Sequence, residues 1–257
     1  MCRQGFLEWL SDNGKQKIYL IAQDFDQDVA TTVWQFLNRE RLGEERVIKL
    51  VNAEDRLDTT VGAYSFQDDP RFLRELAWVY RPYTEARQAD RIRSMSGAEM
   101  AQLILEMGKR ISTFADGKAQ EAELDLSFRR LGGGEGWDLV EEIGVDARTG
   151  MFQAGVRAFI SFRTRIGEDG TSVLAPSAIG KISDYIDFPV TEFYERANSK
   201  EGITKDCINR WGGSSTNGGP PREGGSRLTV KQVEEIMNSL LEEWESSELK
   251  FPIVRSD

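Results

Sequence analysis

Apolar residues recur at helical spacing along much of the chain. In DVATTVWQFLNRERLG, Val29, Val33, Phe36 and Leu37 fall on one side, which predicts a helix over 28–42 stopped by Gly43. PRFLRELAWVYR opens with a proline suited to a first helical turn and aligns Phe72, Leu73, Leu76 and Val79. Over 96–114, Ser96 and Glu99 match a capping box ahead of a stripe of Met100, Leu103, Ile104, Met107 and Ile111. GWDLVEEIGV, FQAGVRAFISFRTRI and SAIGKISDYIDFPVTEFYERAN supply further helical candidates. Strand signals are confined to KIYLIA (17–22) and RVIKLV (46–51), short runs rich in β-branched residues. The expected fold is mostly α: a helical globular body over 1–211, with room for a small N-terminal α/β element and a subdivision near 70.

The pattern then breaks. Residues 212–226, GGSSTNGGPPREGGS, contain eight Gly or Pro in fifteen and no large apolar side chain. As a flexible linker this stretch would span roughly 20 Å as a coil and about 50 Å fully extended. Beyond it, over 227–257, an amphipathic helical arm is expected. Thr229 and Gln232 match a capping box, and Val230, Val233, Ile236, Met237, Leu240, Leu241 and Trp244 share one face. A lone helix of this length is marginal in water, so that face must be covered. The alternatives are its own body, a groove on a neighbouring subunit, or another partner. The expected partner-binding residues are Val233, Ile236, Leu240, Leu241 and Trp244.

Composition narrows the chemistry. The chain has no histidine, which removes Ser-His and Cys-His nucleophile pairs and the commonest general base near neutral pH. Its two cysteines, Cys2 and Cys207, make no disulfide framework or metal cluster. No apolar run approaches the roughly 18 to 20 residues of a membrane-spanning helix. The start of the sequence lacks a secretory-signal pattern, so a cytoplasmic location without membrane contact is expected. Residues 71–165 hold 15 Lys+Arg and 14 Asp+Glu, and 13 of those cations are arginine; the flanking regions are both acidic.

Three stretches offer candidate chemistry. QDFDQDVATT (23–32) alternates Asp24, Asp26 and Asp28 at the end of an expected strand, an oxygen-rich pattern suited to Mg²⁺. It resembles the Asp-x-Asp motif of haloacid-dehalogenase-like phosphohydrolases over those ten residues, without the Gly-Thr that follows there. That resemblance implies a nucleophilic role for the first aspartate; the other account is an acidic helix N-terminus. FRRLGGGEGW (128–137) is read as an interhelical turn, with a phosphate cradle as the alternative. In VRAFISFRTRI, Arg157, Arg163 and Arg165 alternate with Phe159 and Phe162, and RPYTEARQADRIR adds Arg81, Arg87, Arg91 and Arg93. Arginines interleaved with rings suit a nucleic-acid strand; core phenylalanines with ion-paired arginines are the plainer account.

The favoured function is a self-associating structural protein, coat- or nucleoprotein-like. Its tethered C-terminal helix would dock on a neighbouring subunit, and Arg87, Arg91, Arg93, Arg157, Arg163 and Arg165 would hold RNA. A homo-oligomer is expected, with no cofactor, no metal and no catalytic residue. The alternatives are a Mg²⁺-dependent phosphohydrolase or nuclease using Asp24 and Asp26, and a regulatory protein-binding adaptor. The lack of histidine tips the balance against an enzyme.

Overall fold

A computed structural model of the chain describes residues 26–60, 62, 69–89, 91–166 and 170–246. Four helices come first: α1 (Gln27–Leu37), α2 (Glu45–Thr59), α3 (Pro70–Gln88) and α4 (Gly97–Ala115). There follow β1 (Phe128–Gly134), β2 (Trp137–Glu142), α5 (Ala147–Gln153), β3 (Ala158–Ile166), β4 (Ser172–Lys181), α6 (Val190–Lys200), β5 (Gly212–Gly213), β6 (Asn217–Gly219) and α7 (Val230–Ser246). Helix accounts for half of the described residues and strand for 18%, with six strands in one mixed sheet. The mostly-α expectation is therefore corrected: the protein is α/β.

The helical expectations hold where a capping residue sits ahead of an apolar stripe. Asp26 caps α1 by accepting from the Val29 N–H at 3.0 Å, and Asp69 caps α3 by accepting from Phe72 N–H at 3.0 Å. Ser96 and Glu99 form the expected capping box of α4. Trp34, Leu50, Val79, Tyr80, Met107, Ile111 and Phe114 form the core shared by these four helices. The expected strand at 46–51 lies instead within α2, because Val47, Leu50 and Ala53 repeat at three-residue spacing onto that core. KIYLIA lies outside the described residues.

The errors concentrate after residue 128. FRRLGGG is strand β1, not an interhelical turn, and WDLVEE is β2. AFISFRTRI is the central strand β3, whose alternation sends Ala158, Ile160 and Phe162 into one core and Phe159 into another. Its first five residues are all buried, so the polar side of a strand is missing from the sequence. The sheet order is β1-β2-β3-β4-β6-β5; β2 and β3 run parallel through the α5 crossover, and every other pairing is antiparallel.

The glycine-rich stretch also departs from expectation. Its two short strands pair with each other, and β6 pairs with β4. A Cβ at Gly218 would collide with the Tyr194 hydroxyl, which donates to the Ser214 carbonyl at 3.1 Å. The glycines there permit close approach, not mobility. The rest is pinned by Glu201, which accepts from Trp211 Nε1 at 2.8 Å, Ser226 Oγ at 3.0 Å and the Arg227 N–H at 2.7 Å.

Candidate functional site: a two-walled cleft

The helical layer and the sheet enclose a cleft of about 480 Å³. One wall is basic. Glu142, at the end of β2, is buried with its side chain only 2% exposed. Arg163 of β3 donates to it through Nε at 2.8 Å and also through Nη2, and Arg148 of α5 donates through Nε at 3.2 Å. Burial pushes the Glu142 carboxyl up, but Arg163, Arg148 and Arg87 outweigh it and hold the group well below its ordinary value.

Arg87, in the last turn of α3, lines the same wall. Its backbone carbonyl accepts from Arg163 Nη1 at 3.4 Å. Its guanidinium makes no hydrogen bond or ion pair to a described residue. Burial first, then the charges of Arg163 and Arg148, push its pKa down to about 9 against the pull of Glu142 and Tyr83. A depressed arginine is a charge lacking compensation in the free protein.

The cleft also has an acidic lining of Asp26, Asp28, Glu54 and Asp58. Burial, then the charges of Asp26 and Asp58, raise Asp28 to about 6. Glu54 is buried and accepts hydrogen bonds from Thr31 Oγ1 at 2.8 Å and from the Tyr80 hydroxyl. Burial raises Glu54 well above its ordinary value; the Thr31 hydrogen bond opposes this, and Asp28 and Asp26 add to it. Burial therefore favours the neutral form of Glu54 over the charged one.

Of the six arginines expected to hold RNA, the cleft gathers Arg87 and Arg163. Arg91 and Arg157 are exposed and do not line it, Arg165 is half-buried on β3, and the Arg93 side chain lies outside the described residues. Phe159 and Phe162 are fully buried and offer no stacking platform, so that expectation is corrected. Arg148 was missed, since a single arginine in VDARTGMF carries no local signal. Of the three aspartates, Asp26 and Asp28 reach the cleft, while Asp24 lies outside the described residues. Asp58 and Glu54, four residues apart on α2, join them only through folding.

The expected partner-binding face of α7 is seated on its own chain. Val233 and Leu240 are buried, with Ile236 and Leu241 packed beside them on the sheet core; Trp244 is 39% exposed. In this single chain the apolar stripe of α7 finds its cover on β1 and α6.

Among the described residues no helix is long and apolar enough to cross a membrane. The chain matches no protein-family model, no curated protein and no solved structure.

Proposed function

We propose that the protein is a phosphoester hydrolase or nuclease that works with a divalent cation, its substrate phosphate lying between the two walls of the cleft. The observation that carries this is that Arg87, Arg148 and Arg163 line one cavity together with Asp26, Asp28 and Asp58. Arginines suit phosphate oxygens in a planar, forked contact. The carboxylates would repel the same phosphate unless a hard cation lay between them.

The donor set fits such an ion. Asp26, Asp28 and Asp58 are oxygen donors; burial first, then the charges of Asp26 and Asp58, raise Asp28, and a bound cation would relieve the repulsion between them. Among the described residues no group of three or more His, Cys, Asp or Glu is arranged to hold a metal alone. Mg²⁺ accepts that situation, since it commonly binds one or two carboxylates and completes its shell with waters and substrate phosphate. When bound, such an ion would lower the pKa of a coordinated water and so offer a hydroxide nucleophile without a histidine base. The chain's own work is to grip and orient. Arg163 and Arg148 are fixed by Glu142, and Arg87 is free to take up developing charge on the phosphoryl oxygens.

The test is release of p-nitrophenol from thymidine 5′-(p-nitrophenyl) phosphate, and cleavage of a short RNA, with Mg²⁺ or Mn²⁺ and with EDTA. Cation-dependent turnover lost in Asp28→Asn and Arg163→Met supports the proposal. RNA binding without turnover under every condition would instead favour the coat- or nucleoprotein-like reading, in which the same arginines merely hold RNA. That reading draws no support from α7, whose apolar face is already covered.

A further inference from the structure

The basic wall carries more charge than an internal phosphodiester needs. Arg87, Arg148 and Arg163 bring three positive charges, and among the described residues Glu142 is the carboxylate bonded to two of them, which leaves that cluster a surplus of two. The two arginines bonded to Glu142 are already oriented, and the surplus is focused at Arg87, whose guanidinium has no hydrogen bond to a described residue. Tyr83 and Thr84, one turn earlier on α3, place hydroxyl groups on the same stretch of wall. Burial raises the Tyr83 phenol, so it stays a neutral donor. Asn217 and Ser177 border the cleft from the sheet side. The Thr84 hydroxyl donates to the Arg81 carbonyl at 3.1 Å, so the Tyr83 phenol is the hydroxyl that stands beside this concentrated positive charge.

We infer that the basic wall is a pocket for a terminal phosphate, so that the ligand is a phosphomonoester end of a nucleotide or short oligonucleotide and not an internal diester. This rests on the cleft's being a phosphate site, as proposed above. A phosphomonoester carries about −1.5 to −2 at neutral pH, whereas a diester carries one charge. Only the former matches the surplus. It also presents a set of terminal oxygens not tied to a second sugar, which a forked guanidinium can take two at a time. The cavity volume of about 480 Å³ suits one nucleotide entering end-on and not a continuous strand lying across. Without ligand, Arg87 is a recessed cation held among like charges. With a dianion present it gains the partner that the free protein denies it, so binding energy is concentrated at this residue.

The experiment uses the full chain with Ca²⁺ in place of Mg²⁺ and calorimetric titration of 5′-AMP, 3′,5′-cyclic AMP and a ribo-pentanucleotide with or without a 5′-phosphate. The expected result is that AMP and the phosphorylated oligomer bind about tenfold or more tighter than their counterparts lacking a terminal phosphate. Arg87→Met should erase that preference while melting no lower than the unchanged protein, because it removes a poorly compensated charge. Arg87→Lys, which keeps the charge without the fork, should retain part of the preference. Equal binding of AMP and cyclic AMP would overturn the inference while leaving a phosphate site in place. So would a preference that survives in a folded Arg87→Met protein. Absence of binding by all four probes would remove the phosphate site itself, and the inference with it.

Discussion

The backbone N–H of Gly133 donates to Oε1 of Glu234 at 2.9 Å, joining β1 to α7 across 101 positions of sequence. Trp137 Nε1 and Asn238 Oδ1, one helical turn on, repeat the link at 3.2 Å. The glycine run of β1 is what lets the helix come this close. A Cβ at Gly132 would meet the Glu234 carboxylate, and one at Gly134 would stand 2.7 Å from Asn238 Oδ1. The Gly-rich segment that looks like a phosphate cradle in the sequence is a seat for the last helix.

Gly133 adopts φ of 130°, and an added Cβ there would stand 2.5 Å from the Trp137 carbonyl oxygen. Backbone cannot yield as a flexible side chain does. Gly133→Ala should lower stability by about 2–4 kcal/mol, read from urea denaturation, while Gly136→Ala, with open space around its Cβ position and φ of 78°, should cost about 1 kcal/mol.

A chain ending at Trp211 should lose its cooperative unfolding transition. The cut removes Leu228, Val233, Met237 and Leu240 from the core that packs on β2 and β3. Each such loss is worth about 2–5 kcal/mol against a total stability of about 5–15 kcal/mol. Thermal melting followed by circular dichroism decides this; a sharp transition in the shortened chain would show α7 to be dispensable.

Two buried glutamates should respond oppositely to the same change. Glu142→Gln strands three arginines around a neutral group and should cost about 3–5 kcal/mol. Burial favours the neutral form of Glu54, and glutamine still accepts from Thr31 and Tyr80, so Glu54→Gln should stay within about 1 kcal/mol. Equal losses in chemical denaturation at pH 7 would contradict the assignment of charge to the two walls.

Asp28 provides a test by pH. The folded chain holds its proton up to about 6, whereas the unfolded carboxyl releases it near 3.8. Between those values the native state binds more protons, so this group's stabilising contribution is lost as pH rises from about 4 to 6 and is level above. Asp28→Asn should be slightly more stable than the unchanged protein above pH 6, by less than about 1 kcal/mol because solvent screens an exposed carboxylate. The gap should close below pH 4. Melting in EDTA at pH 4, 5, 6 and 7 measures it; added Mg²⁺ should reverse the order by stabilising only the unchanged protein.

Local signals were sufficient for part of this structure. Ser96 and Thr229 announce helix starts because capping is settled within four residues, and the stripes of α3, α4 and α7 follow from a period that any amphipathic helix must show. The absence of histidine and the concentration of arginine in the middle of the chain are likewise facts of sequence, and Arg87, Arg163, Asp26 and Asp28 were within reach of it. Tertiary structure decided the rest. β3 is buried on both faces, so AFISF shows no polar alternation to mark it as a strand, and only its neighbours β2 and β4 define it. Whether a glycine run is a linker, a cradle or a seat depends on what stands opposite, and Tyr194, Glu201 and Glu234 are distant in sequence. The cleft is the clearest instance. Arg87, Arg148, Arg163 and Glu142 come from four elements, and the shifted charges of Arg87 and Glu142 arise from burial and Coulomb interaction at short range, which no linear spacing encodes.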